Sequence, residues 1–211
     1  MSDLVQEKAE IVHDVLGILI DFIESVIHTI LYVRGVYPNY LFHEVVSAYT
    51  GQLHYMSRNP TLNKYVTDLM KSMREWIENG LVEKVIISIS SNQTGGGLIE
   101  QHVIDLELIK NERIEPNSQI FSPLYWSLRE FFVQLHSLQP LIESDLTFNV
   151  EVEAKASQCL QLTSNLDWLI ISSQDQLSSF SNSVTIQPIK SMFNEGLGLR
   201  MQMYTKKFTS E

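Results

Sequence analysis

The sequence predicts an α+β fold in which one antiparallel sheet is covered on one face by three helices. Two observations carry this. Three segments place apolar residues at three- and four-residue steps, and four others alternate apolar with polar residues. Their order is helix, helix, hairpin, helix and then strands, with neither a repeat nor a linker between them.

The first helix is long. Ile11, Val15, Ile18, Phe22, Val26 and Leu31, with Leu19, Ile23, Ile27 and Ile30, recur at helical spacing. Leu16 and Ile20 lie off that stripe and are apolar too, so the helix is apolar nearly all round and belongs in the middle of the fold. It ends before Pro38, because proline disfavours helical geometry in the residue before it. Residues 15–33 are apolar enough to suggest a membrane span. Asp21 and Glu24 argue against one, since a carboxylate at mid-bilayer costs about 2.5 kcal/mol or more. No membrane association is expected.

Residues 39–56 have no clear period and read as a loop with room for a short hairpin. Asn59 followed by Pro60 is a helix start, a capping side chain with proline in the first turn. Leu62, Tyr65, Val66, Leu69, Met73, Trp76 and Ile77 continue that helix, and Gly80 stops it. Residues 82–90 alternate as a strand apolar on both faces, residues 92–97 are a turn, and residues 99–108 are the returning strand. Ser122 and Pro123 open a third helix with Leu124, Leu128, Phe131, Phe132, Leu135 and Leu138 inward, ending at Pro140. Leu146, Phe148, Val150 and Val152 alternate as a third strand. Residues 168–171 are a short apolar run, and residues 172–183 form a serine-rich stretch without a period, expected to be a mobile loop. Residues 184–192 are a mixed segment around Pro188, and residues 197–204 alternate as a last strand.

A chain of 211 residues fits one domain and can bury about 70% of its unfolded surface without disulfide or metal. Cys159 is the one cysteine, which suits a reducing compartment. Residues 1–10 are polar and acidic, unlike a signal peptide. The net charge of −10 does not draw the chain to a phosphate backbone, so no direct sequence-specific nucleic-acid binding is expected, and Lys206 with Lys207 reads as a solvated tail.

No catalytic centre is recognisable. His13, His28, His43, His54, His102 and His136 never stand three or four residues apart, and Cys159 has no cysteine companion, so no metal site and no cofactor is expected. Gly95, Gly96 and Gly97 precede a strand where a phosphate loop needs a helix. Asp105 and Glu107 share a strand face and read as solvated charges, and no G-x-S-x-G elbow occurs. An alternating strand after a long polar loop offers instead a sheet edge that another chain can pair with.

Six segments carry a resemblance. IHTILYVRGVYP at residues 27–38, NPTLNKYV at 59–66, LVEKVII at 81–87, the tryptophan at 168, QPIKSM at 187–192 and MQMY at 201–204 resemble, in order, the HORMA-domain accessory subunit of translesion DNA polymerase zeta. The similarity spans residues 10–207. It departs after Val-Tyr-Pro, where relatives carry a basic cluster and residues 43–55 here hold no lysine or arginine. The resemblance implies one HORMA domain over residues 1–211, with a core over residues 8–165 and a mobile safety belt over residues 166–211. It implies a non-catalytic adaptor whose belt wraps a proline-containing peptide of the polymerase catalytic subunit, with backbone hydrogen bonds holding the peptide and pockets choosing it. It implies Tyr65, Trp168, Ile186, Gln202 and Tyr204 as peptide-binding positions, an inserter-polymerase scaffold as a further partner, and a nuclear location. Arg129, beside an inward stripe in LREFF, falls where relatives have an arginine at a homodimer interface, with Glu130 as a candidate acidic group. A spindle-checkpoint or meiotic-axis HORMA adaptor is the alternative within the same fold, and a small enzyme with an unrecognised site is the alternative outside it.

Overall fold

The computed structural model describes residues 2–47, 50–93, 97–108, 121–155, 168 and 183–209, with the side chains of the first helix described from Asp14 onward. The first helix, α1 (Ser2–Val33), is the middle of the molecule: Leu19, Ile23, Val26, Ile27, Ile30 and Leu31 are fully buried. It stops at Gly35, which adopts φ 71°, a left-handed geometry glycine takes without steric cost, and the Val36 N–H donates to Leu31 O at 3.0 Å. The second helix, α2 (Pro60–Glu78), begins as its sequence suggests, Asn59 Oδ1 accepting from the Thr61 N–H at 2.9 Å. It ends as α1 does, with Gly80 at φ 65° and the Leu81 N–H on Trp76 O at 2.9 Å. The third helix, α3 (Phe121–His136), packs Phe131 and Phe132 edge-on to Phe22 of α1, ring centres 5.6 and 5.4 Å apart.

Between α1 and α2 the chain makes a 3-10 turn (Asn39–Leu41) and an antiparallel hairpin of β1 (Phe42–Val46) and β2 (Leu53–Ser57), giving the unpatterned loop region its structure. This hairpin lies on α1, Tyr32 stacking on Tyr55 at 3.5 Å. The main sheet contains β3 (Val82–Ser91), β4 (Leu98–Leu108), β5 (Leu146–Ala154), β6 (Ser183–Asn194) and β7 (Leu199–Thr209). They lie in the order β5-β3-β4-β7-β6, every neighbour antiparallel.

The register fixes the two faces. Val85, Ile87 and Ile89 of β3 stand beside Val152, Val150 and Phe148 of β5 on one side, and beside Ile104, His102 and Glu100 of β4 on the other. Met203 and Met201 of β7 continue the row beside Ile104 and Leu106. These side chains face the helices. The opposite face carries Lys84, Asp105 and Gln202 in one row and Ile86, Val103 and Tyr204 in the next.

Two expectations change. Residues 184–192 are not a mixed segment but most of β6, an edge strand with its first half exposed on both faces, which removes the alternation that would mark a strand. Pro188 fits there because an edge strand needs no donor on its open side, and the register shifts between Pro188 and Lys190. Lys206 and Lys207 are not a tail: they pair within β7 with Gln101 and Glu100. Residues 199–209 form β7, hydrogen-bonded between β4 and β6. Of the apolar run and the serine-rich stretch, Trp168 and Ser183 are described, and the remainder lies outside the described residues.

Candidate partner-binding site

β5 is an edge strand, paired with β3 and with no strand beyond it among the described residues. One stripe of α2 carries Tyr65, Leu69, Ser72 and Trp76, four positions at helical spacing, and its Tyr65 reaches β5. Tyr65 stands edge-on to Phe148 of β5 at 5.8 Å, and Tyr37 approaches the same ring at 6.2 Å. Tyr65 is 44% exposed in spite of these contacts. Burial, with Tyr37 beside it, pushes the Tyr65 phenol up. Further along α2, Trp168 lies against Trp76 with ring centres 4.9 Å apart, and its indole N–H donates to Ser72 Oγ at 3.2 Å. The β5 edge, which meets no further strand among the described residues, therefore lies near aromatic side chains, and strand addition uses an open edge and side-chain pockets.

The other three expected peptide-binding residues stand elsewhere. Gln202 and Tyr204 lie on the face of the sheet away from the helices, and Ile186, 60% exposed, pairs with Lys206 on that same face. Two strands, β3 and β4, separate β7 from β5. Burial and the carboxylates of Asp105 and Glu153 push the Tyr204 phenol up, against the opposing field of Lys84. The five residues thus divide between α2, Tyr65 on it with Trp168 against it, and a sheet face, Ile186 with Gln202 and Tyr204.

Arg129 is exposed on α3, its guanidinium 5.4 Å from the centre of the Trp126 ring. With Thr50, Ser122 and Tyr125 these two line a pocket of about 180 Å³. Glu130 is taken within its own chain by Lys190 of β6.

Two polar clusters went unrecognised in the sequence, one buried and one running from the buried His28 and His54 to the half-buried His136 and the exposed His43. Arg34, from the Tyr-Val-Arg motif, binds Glu100 through two hydrogen bonds of 2.6 and 2.5 Å and also donates to Gln139 O. His102 Nε2 lies 2.8 Å from Glu100 Oε1, and its Nδ1 lies 3.1 Å from Thr205 Oγ1. Burial would raise the Glu100 carboxyl, but the hydrogen bonds from His102 and Arg34 outweigh it and hold the group at about 2. This chain of contacts ties α1, β4 and β7 together. The second cluster gathers His28, His43, His54 and His136, which sequence spacing had scattered. Burial, then the fields of His54 and His43, lower His28 to about 4, and both its ring nitrogens are unpartnered. No group of three metal-ligating side chains occurs among the described residues.

Three helices over an antiparallel sheet closed by a C-terminal hairpin make this a HORMA fold. The chain aligns with one from the crystal structure of the mitotic checkpoint complex at a TM-score of 0.72 and 18% identity, covering 92% of this chain and 98% of that one. In sequence it is similar to the mitotic spindle assembly checkpoint protein MAD2B of Danio rerio, 24% identical over 219 residues, covering 100% of this chain and 99% of the relative. It is also similar to the DNA polymerase zeta processivity subunit of Arabidopsis thaliana, 26% identical over 192 residues, with 88% and 83% covered. No family model matches the chain.

Proposed function

We propose that this chain is a non-catalytic HORMA adaptor of translesion DNA polymerase zeta, acting in the nucleus. It holds a proline-containing peptide of the catalytic subunit as an added strand along β5. The observation that carries the reading is the β5 edge, which meets no further strand among the described residues, with Tyr65 against its Phe148 and Trp168 on the same helix as Tyr65. Backbone hydrogen bonds supply affinity without regard to sequence, and the aromatic side chains select prolines, whose rings pack flat on such surfaces. A belt over residues 166–211 retains the peptide. Similarity to a relative named as a polymerase zeta subunit supplies the partner.

Ile186, Gln202 and Tyr204 serve a second contact, to an inserter-polymerase scaffold, on the sheet face away from the helices. Arg129 and Trp126 serve a homodimer through α3, and since Glu130 is engaged by Lys190, the carboxylate that meets Arg129 comes from another position on the partner copy. A second reading, a spindle-checkpoint adaptor, is favoured by the name of the Danio rerio relative and uses the same edge for a different peptide.

Titration calorimetry with a proline-containing peptide of the polymerase zeta catalytic subunit tests this. Trp168→Ala and Tyr65→Ala are each expected to weaken binding by about 2 kcal/mol, the loss usual for a buried aromatic anchor, while the domain keeps its cooperative melt. Ile186→Ala is expected to leave that affinity unchanged. Equal losses at Ile186 and Trp168, or wild-type binding of a checkpoint-activator peptide in preference, would overturn it.

A further inference from the structure

The exposed face of α3 carries a chemistry of its own. Of the six prolines, Pro123 is the one preceded by a serine or threonine, so a proline-directed kinase meets a single candidate in this chain, Ser122. Ser122 is exposed in the first turn of α3, and its hydroxyl makes no hydrogen bond among the described residues. First-turn N–H groups have no acceptor within a helix and proline has no N–H at all, so this turn opens at little cost and can present the extended Ser-Pro that such a kinase reads. Ser122 also lines the pocket of about 180 Å³ that it shares with Thr50, Tyr125, Trp126 and Arg129. The wall holds one cation and no carboxylate, and Glu130, next to Arg129 in the chain, is already held by Lys190. Arg129 leans back onto Trp126, its guanidinium 5.4 Å from the ring centre, as helical side chains lean toward the N-terminus, and this carries its charge toward the turn of Ser122. It has no ion-pair partner among the described residues. In a chain of net charge −10 an added phosphate is repelled over most of the surface, and here one would be met by a guanidinium.

We propose that Ser122 is a phosphorylation site for a proline-directed protein kinase, and that Arg129 holds the phosphate within the same chain. In the transfer, Ser122 Oγ attacks the γ-phosphorus of ATP. The Oγ–P bond forms as the bond from that phosphorus to the β-phosphate oxygen breaks, ADP leaves, and the hydroxyl proton passes to the catalytic base of the kinase. The product carries about 1.5 to 2 negative charges at neutral pH and three acceptor oxygens, two of which a planar guanidinium can meet at once. Arg129 gives up the Trp126 ring for them, because a charge-assisted hydrogen bond exceeds a cation–π contact at an exposed site. The modification therefore removes an available cation from the face of α3. Its consequence for assembly rests on the homodimer reading above: the group that meets the partner copy is then consumed, and the dimer opens.

The test uses the full chain as wild type, S122A, P123A and R129Q, each treated with ATP and a proline-directed kinase of the cyclin-dependent class and mapped by mass spectrometry of its peptides. All three positions are exposed, and each variant is expected to keep the wild-type melt. Wild type and R129Q are expected to gain a single phosphoryl group, at Ser122, while S122A gains none and P123A is barely modified. Phosphorus NMR titration of the product reads the clamp: the phosphoserine pKa is expected to lie lower in wild type than in R129Q by about one unit, the scale of one charge-assisted contact. No phosphoryl group at Ser122, or the same incorporation in S122A, overturns the modification site. Equal titration in wild type and R129Q overturns Arg129 as the partner of the phosphate. Sedimentation across a concentration series reads assembly, and phosphorylation is expected to weaken self-association about ten-fold, the factor of one charge-assisted hydrogen bond. A dimer that phosphate leaves unchanged overturns that release. If the unmodified wild type is monomeric while Ser122 takes phosphate against Arg129, the homodimer reading fails and the site stands.

Discussion

The sheet has two edges built on different principles. At the β6 edge, Pro188 removes a backbone donor, the register shifts between Pro188 and Lys190, and Lys190 reaches back to Glu130 of α3. Proline, bulge and lysine are the devices by which a sheet discourages further pairing. At the β5 edge, residues 146–154 contain no proline or lysine and alternate cleanly, and Tyr65 of α2 stands against Phe148. The β6–β7 hairpin is also tied into the interior by Thr205, His102, Glu100 and Arg34, while β5 is held by β3 and by apolar packing. The difference teaches that one edge is finished by its own chain, while the other carries none of these devices and meets no further strand among the described residues.

The strongest way to break this comparison is at Arg34. Removing one partner of a buried ion pair leaves an uncompensated charge, and Arg34→Ala is expected to cost about 3–5 kcal/mol in chemical denaturation. Amide exchange is expected to rise first in β7, which depends on the network through Thr205, and later in β5. Loosening of β5 ahead of β7 would show that the two edges are not separately anchored.

Acid separates the same elements more gently. Glu100, depressed to about 2, contributes stability above its unfolded value of 4.5 that is lost as pH falls from 4.5 towards 2. His28, depressed to about 4, takes up its proton more readily in the unfolded chain, so stability falls as pH drops from 6.5 towards 4. Each is on the order of 3 kcal/mol. Urea titrations across this range should therefore show two successive losses. His28→Leu is expected to reduce the upper one, with His54 and His136, also lowered by burial, supplying the remainder, and to leave stability at pH 7 unchanged or raised, since both ring nitrogens of His28 are buried without partners. A pH profile of that variant identical to wild type would contradict the assignment.

The smallest effect is at Pro188. Pro188→Val restores a donor on an exposed edge and should change the melting free energy by less than about 1 kcal/mol. Light scattering is expected to show concentration-dependent association where the wild type shows none through this edge. An unchanged scattering profile would mean that the bulge and Lys190 protect the edge without the proline.

Most of the frame was legible because its signals are local. Asn59 with Pro60, Gly80, and the alternation at 82–90 and 146–152 each act within a few residues of themselves. β6 was not legible, since a strand exposed on both faces has no alternation to read. The Arg34 network was hidden for another reason: Arg34, Glu100 and Thr205 meet only once α1, β4 and β7 are assembled. The four histidines of the second cluster come together from α1, β1, β2 and α3 in the same way. Tyr65 and Trp168 were singled out by resemblance, and the fold adds Tyr37, Phe148, Ser72 and Trp76 around them. Resemblance alone grouped Ile186, Gln202 and Tyr204 with these two, because motif order carries no information about which face of a sheet a residue occupies.

The central claim is that β5 is the edge a partner strand completes. Amide hydrogen exchange of the full chain, with and without a proline-containing peptide of the polymerase zeta catalytic subunit, tests it most directly. Alternate backbone amides between Thr147 and Glu153 should become strongly protected on binding, with those of residues 184–187 in β6 unchanged. Protection at β6, or binding with no change along β5, would contradict it.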